Sequence, residues 1–350
     1  MRGIALIGCG YWGPVVARSV ELTERAKIRW LCDQDEGRAK ALQRKYPTAK
    51  ATDSLAEVLK DPEVTAVVVS TPVSTHSAIA KQALEAGKHV LVEKPITLTA
   101  GECESLIKVA QQTKKVLMVG HVFEYNSSIQ ALKSIIKSGD LGDLHYIQSE
   151  RTNLGPVRTD VNALMDLATH DISILIELTG RVPQQVSANG HAYLNSGVED
   201  VVFCNYTFAD GLLANVHASW LNPRKVRQIT VVGSRKMAVW DDLDLKTPIK
   251  IYDKHVEMKA VGGSADSFLA YKTAVVDGGL FIPNIQLNEP LLAEIQHFLD
   301  CVEKNLTPRS DGVSGYRVMK ILEATSASIK QGGAAVAIDV GPAKILHSAA

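Results

Sequence analysis

Several residues in this chain have the type and spacing that chemistry uses. Asn162, Asp166 and His170 recur at every fourth position, which puts them on one face if the segment is helical. The positions between them are mostly apolar: Ala163, Leu164, Met165, Leu167 and Ala168. A polar stripe on so apolar a helix either lines a wet cavity or is satisfied inside a core. An imidazole has the pKa for acid–base work near neutrality, and Asp166, one turn earlier, could orient it. A buried His–Asp pair has the same spacing, and both readings stand at this point. Lys94 directly follows the apolar run His89–Val92 and precedes Pro95. Proline restricts Lys94 to extended geometry, and a Lys–Pro bond admits the cis form. A lysine at a strand's carboxyl end can hold a substrate hydroxyl and stabilise alkoxide charge; a solvated lysine is the commoner fate. Arg158 could grip a carboxylate or phosphate bidentately, or pair with Asp160.

A second constellation is Gly8-Cys9-Gly10-Tyr11-Trp12-Gly13. It follows the apolar run Ile4–Ile7 and opens a helical pattern near Pro14, the context that a dinucleotide-binding G-x-G-x-x-G requires. Gly8 permits the tight turn, Gly10 lets the backbone approach a pyrophosphate, and Gly13 allows close helix–strand packing. Phosphates then sit at a helix N-terminus, where Pro14 is tolerated. Asp33 ends the second apolar run, where a carboxylate accepts from ribose hydroxyls and repels a 2′-phosphate. NAD is therefore expected over NADP, with Arg38 able to blur the preference. Tyr11 and Trp12 either shield the cofactor or simply pack the loop. Ser70-Thr71-Pro72 and Glu93-Lys94-Pro95 fall beyond the carboxyl ends of strands, where ligands lie in doubly wound sheets.

The elements that must position these residues fall into two rhythms. Up to about residue 122, short Val/Ile-rich runs (Ile4–Ile7, Ile28–Leu31, Ala66–Val69, His89–Val92, Val116–Val119) alternate with amphipathic stretches. That alternation implies βαβ units and a parallel, doubly wound sheet. After residue 144 the runs lengthen and alternate, with Asp210-Gly211 and Gly233-Ser234 between consecutive runs as turns. This predicts an antiparallel sheet with one covered face. Helices are expected over Ser128–Lys137, Val161–Leu178, Pro290–Val302 and Gly315–Ile329. The fold class is α/β: a parallel-sheet domain over 1–122, then an α+β domain over 123–350 for substrate binding and oligomerisation.

The 350 residues include 38 basic and 38 acidic side chains. That balance argues against a strongly basic nucleic-acid binder or a polybasic membrane-surface protein. No apolar run approaches the ~18 residues of a membrane helix, and the N-terminus lacks a secretory apolar core. The five cysteines are scattered without C-x-x-C, neither a disulfide framework nor a zinc pattern. No metal is expected, and a cytoplasmic setting is.

Together these residues resemble the Gfo/Idh/MocA family (glucose–fructose oxidoreductase, inositol dehydrogenase). The resemblance rests on Gly8–Gly13, Ser70-Thr71-Pro72 with His76, Ala86–Pro95 with its Glu93-Lys94-Pro95, and Gly120-His121. It continues through Asp166-x-x-x-His170 and the closing Glu289-Pro290-Leu291. It implies a Rossmann domain followed by an open-faced sheet domain, with Lys94, Asp166 and His170 as the catalytic group. It also implies cofactor contacts from Ser70, Thr71, Pro72, His76 and Glu93.

Gly10–Pro14, His121–Asn126 and Arg158–Asn162 look like a sugar-nucleotide branch that includes UDP-N-acetylglucosamine-uronate 3-dehydrogenases. That likeness implies substrate contacts from His121, Tyr125, Asn126, Arg158 and Asn162. The chain departs from the branch at Val15, which is usually Asn, and at Glu124, which is usually apolar. An acidic Glu124 near the site would disfavour an anionic sugar. The expected activity is NAD-dependent hydride transfer at a secondary alcohol of a sugar or nucleotide sugar, at C3, in a homo-oligomer (dimer or tetramer). The alternatives are a free-polyol dehydrogenase and a nicotinamide-binding regulator without chemistry.

Overall fold

The computed structural model describes residues 2–260 and 271–341. In its first part, β1 (Arg2–Ile7), α1 (Gly13–Leu22), β2 (Ala26–Cys32), α2 (Glu36–Gln43), β3 (Lys50–Thr52) and α3 (Leu55–Lys60) are followed by β4 (Val64–Val69), α4 (Val73–Glu85), β5 (His89–Glu93), α5 (Ala100–Thr113) and β6 (Leu117–Gly120). All neighbouring strands run parallel. Their order, β3-β2-β1-β4-β5-β6, is that of the dinucleotide-binding Rossmann sheet. Ile4, Leu6, Ile28, Leu31 and Val68 are buried in one core, as strands covered on both faces must be. The expected strands and helices all appear. β3 was not expected, because three residues at a sheet edge carry no readable periodicity.

The second part begins with α6 (Ser127–Lys137), β7 (Leu144–Leu154), a π-helical turn (Leu164–Ala168) and α7 (Thr169–Thr179). There follow β8 (Gln185–His191), β9 (Val201–Thr207), β10 (Leu213–Ser219), β11 (Leu221–Gly233), β12 (Met237–Asp241), β13 (Ile249–Ala260) and β14 (Tyr271–Phe281). The sheet is mostly antiparallel, with one exception: β10 pairs with β7 in parallel. The β8–β9–β10 meander ends beside β7 running the same way, which residue alternation does not report. Val202, Cys204 and Tyr206 point into the covered face, while Phe203 between them is exposed. The covered face is held by a buried ion pair. Asp171 of α7 accepts from Arg151 Nε at 2.6 Å, Arg151 Nη2 at 3.1 Å and Ser149 Oγ at 2.7 Å.

The chain then supplies α8 (Pro290–Lys304), α9 (Gly312–Lys330) and β15 (Val336–Ala337). Two compact units result, and neither is continuous in sequence. The first holds the described residues to Asn126 with Asn288–Ala324 and those from Ile338; the second holds Ser127–Leu287 and Thr325–Ala337. This replaces the single crossing expected near residue 122. The reason lies in α8, whose Leu291, Ile295, Phe298, Leu299 and Val302 enter the core of the parallel sheet at helical spacing. Among the described residues, no helix is long and apolar enough to cross a membrane. All five cysteines are buried thiols.

Candidate active site

The glycine loop has the geometry that its sequence requires. Gly8 adopts φ +98, and a Cβ there would lie 2.4 Å from the Ser70 carbonyl oxygen. A Cβ on Gly13 would lie 2.5 Å from the Gly8 oxygen, so no larger residue fits at either position. Gly10 faces open space, with only the Arg38 guanidinium at 4.0 Å from such an atom. α1 starts at Gly13 with Pro14 in its first turn. Pro14 has no N–H, and the Val15 and Val16 amides donate to the Trp12 oxygen at 3.0 and 3.1 Å, which leaves the Gly13 amide at the helix start for an anion. Asp33 braces the loop: Oδ2 accepts from Cys9 N at 2.7 Å and Oδ1 from Asp35 N at 2.9 Å. Ser70 Oγ is buried with no protein partner among the described residues. A bare approach at Gly10, the helix start at Gly13, an acid at the end of β2 and this orphaned hydroxyl together fit a dinucleotide.

Lys94 stands at the carboxyl end of β5, half-buried, and its bond to Pro95 is cis. Glu93, just before it, accepts from Trp12 Nε1 at 2.6 Å and from Lys94 N at 3.3 Å. Trp12 is thereby fixed to the Lys94 turn, whereas Tyr11 is 95 % exposed. His76 is buried on α4, with Nδ1 2.9 Å from the Pro95 oxygen and Nε2 2.8 Å from the Thr71 oxygen. Thr71 Oγ1 also meets Thr75 Oγ1 at 2.7 Å, and Pro72 precedes the first turn of α4. His76, Thr71 and Pro95 thus lock two loops together.

His121 follows β6 and is fully buried, with neither ring nitrogen hydrogen-bonded among the described residues. Burial, reinforced by the Lys94 charge, pushes its pKa down to about 3, so the ring is neutral. Tyr125 is buried, and its hydroxyl meets Ser310 Oγ at 2.9 Å. Asn126 N donates to the Phe123 oxygen at 3.1 Å.

In the second unit, Asn162, Asp166 and His170 precede or occupy the first turns of one helix. The helix differs from the expected Val161–Leu178, because Leu164–Ala168 is π-helical. Single π turns concentrate at functional sites. Asn162 caps this turn: its Oδ1 accepts from Met165 N at 3.0 Å, and its Nδ2 donates to Glu199 Oε2 at 2.6 Å. Asp166 accepts from Trp220 Nε1 at 3.2 Å and from Arg158 Nη1 at 3.3 Å. Arg158 also holds Asp160 through two bonds, of 2.9 and 2.6 Å. These pairs raise its pKa and lower that of Asp160, against opposing burial. His170 is half-buried in the first turn of α7. Trp220 and Glu199 were missed; neither sits in a sequence pattern with the residue that it holds. A hollow of about 600 Å³ in this unit is lined by Glu150, Arg224, Lys225 and Gln228. It lies on the sheet face opposite Ser149 and Arg151, away from α7, and holds none of the expected site residues.

Comparison with known proteins agrees with this geometry. The Gfo/Idh/MocA model described as an oxidoreductase family with an NAD-binding Rossmann fold matches residues 2–121, and the family's C-terminal domain model matches 129–239. UDP-N-acetylglucosamine 3-dehydrogenase of Acidithiobacillus ferrooxidans is 31 % identical over 73 % of this chain and 76 % of its own. The scyllo-inositol 2-dehydrogenase (NAD(+)) of Bacillus subtilis is 26 % identical over 87 % of both chains. The crystal structure of GenD2 from gentamicin A biosynthesis, in complex with NAD, superposes with a TM-score of 0.80 at 25 % identity, covering 97 % of this chain and 96 % of that one.

Proposed function

Because the chain belongs to the Gfo/Idh/MocA family of NAD-binding oxidoreductases, we propose that it oxidises a secondary alcohol of a nucleotide sugar at C3, or reduces the matching ketone. The observation that carries this reading is the Trp12–Glu93–Lys94 link, which joins the dinucleotide loop to the residue suited to hold the reacting oxygen. The loop Gly8–Gly13, up to the Gly13 amide at the start of α1, would hold the pyrophosphate, and Asp33 the ribose. NAD, when bound, supplies the hydride acceptor. Lys94 binds the substrate oxygen and stabilises its developing charge. His170 takes the hydroxyl proton. Asp166, held by Trp220 and Arg158, fixes the helix turn before His170. The relative of 31 % identity supports the nucleotide-sugar choice.

A second reading, a free-polyol dehydrogenase, is favoured by Arg158 itself. Its guanidinium already serves Asp160 and Asp166 and offers less charge to a diphosphate, and one relative is an inositol dehydrogenase. The test is NADH absorbance on adding UDP- and dTDP-sugars, uronates and polyols to the protein with NAD. A rise with one nucleotide sugar, lost in His170→Ala, supports the first reading; a rise with inositol alone moves the chain to the second. The uncovered sheet face, with Tyr146, Phe203 and Leu213 exposed, is assigned in this reading to a second copy of the chain. Molar mass in solution by light scattering tests it: a monomer removes the assignment.

A further inference from the structure

Glu294 is the least explained charged residue of the first unit. It lies on α8 with no exposed surface, and neither carboxyl oxygen meets a donor among the described residues. The titratable groups that act on it are Glu93 at the end of β5, Glu124 in the turn Val122–Tyr125, and Tyr125. None of these brings a positive charge to it. A buried carboxylate without donors is strongly disfavoured, and two carboxyl neighbours disfavour it further. Burial raises the Glu93 pKa as well, but Glu93 is better provided than Glu294: Trp12 Nε1 and Lys94 N donate to it, and these bonds and the Lys94 charge oppose that rise. Within the pair, the proton therefore belongs on Glu294. A neutral carboxyl also turns an orphaned acceptor into a donor.

We propose that Glu294 is a neutral carboxylic acid in the native protein at neutral pH, that it donates its proton toward the Glu93 carboxylate, and that it is a positioning residue for the Trp12–Glu93–Lys94 link. Glu93 then keeps a single negative charge and both its donors. Ionising Glu294 sets a second charge against Glu93 and loosens Trp12 and Lys94 together. Burial and the two neighbouring carboxyls raise the Glu294 pKa well above the usual carboxylate value, so this loosening falls on the alkaline side. The consequence for NAD rests on the cofactor reading above; the protonation does not.

The test uses the full-length chain without added cofactor. The infrared difference spectrum between wild type and Glu294→Gln at pH 7 is expected to show the carbonyl stretch of one neutral carboxylic acid; its absence overturns the proposal. Urea unfolding between pH 5.5 and 7.5 provides a second measure. A native state holding one proton that the unfolded chain has released makes the unfolding constant rise tenfold per pH unit. Wild type should show that extra tenfold relative to Glu294→Gln, and equal slopes overturn the proposal. NAD titrations then test positioning: wild type should lose affinity as pH rises while Glu294→Gln, which keeps a donor, does not. Parallel profiles overturn the positioning role. If wild type binds no NAD at any pH, the cofactor reading fails, and the infrared band alone decides the proton.

Discussion

Trp12 Nε1 donates to Glu93 Oε1 at 2.6 Å, so a side chain of the dinucleotide loop is fastened to the residue that precedes Lys94. Trp12→Phe keeps the ring and removes the donor. A hydrogen bond to a charged group contributes about 1.5–3 kcal/mol, so NAD affinity should fall about tenfold or more. kcat should fall with it, because Lys94 shares the anchor. Calorimetric titration of NAD checks the first effect and steady-state rates the second. Unchanged affinity would show that the link is incidental to cofactor binding.

Asp33 couples cofactor choice to loop shape, since the carboxylate that would meet the ribose also accepts from Cys9 N and Asp35 N. In Asp33→Asn, the bond from Cys9 is weakened and the repulsion of a 2′-phosphate is lost. The expected result is NAD binding weakened about tenfold, from loss of one charge-assisted bond, while NADP binding weakens less or improves. The ratio of the two dissociation constants is the readout. An unchanged ratio would remove Asp33 as the selector.

These two residues also show what sequence can carry. Asp33 was legible because strand, glycines and acid are all spaced along one βα unit, and local spacing survives folding. The cis bond at Lys94–Pro95 and the buried cysteines were legible for similar reasons of local chemistry. Trp12 was left between two roles, because its partner Glu93 is far along the chain and no periodicity links them. Trp220 as the donor to Asp166, and Glu199 as the partner of Asn162, were invisible on the same grounds. The π turn at Leu164–Ala168 was read as ordinary helix, since the apolar pattern does not distinguish i→i+4 from i→i+5 bonding. Helix α8 was found, but its return to the parallel sheet was not, because amphipathicity reports that a face is buried and not what buries it.

The Arg151–Asp171 pair is almost fully buried and sits one residue after His170. Breaking a buried pair by removing one partner costs about 3–5 kcal/mol, whereas replacing both by apolar groups is often neutral. Arg151→Met should therefore destabilise by roughly that amount, and Arg151→Met with Asp171→Leu should recover most of it. Urea unfolding of the three proteins checks the stability. If the pair also holds α7 for His170, the recovered double variant should still show a reduced kcat with little change in KM. Full activity in the double variant would confine the pair to stability.

His121 gives the acid limb of the stability profile. Its folded pKa lies at about 3, below the value of about 6.5 for an unfolded histidine. Between those values the unfolded chain binds a proton that the native state excludes. Stability is therefore fully present above about pH 6.5 and falls as pH drops toward 3, by at most about 1.4 kcal/mol per pH unit. His121→Gln removes this proton from the balance, so its unfolding free energy should fall less steeply between pH 6 and pH 4 than that of wild type, by up to one proton's worth of slope. Lys94→Met should act in the same direction and more weakly, because the lysine charge is the smaller cause and burial the larger. With that charge gone, native His121 takes up its proton at a higher pH, and the decline ends sooner. If Lys94→Met leaves the slope and its end point unchanged while His121→Gln alters them, the ring is shielded from Lys94, and the contact inferred between them at the head of β5 and β6 is lost.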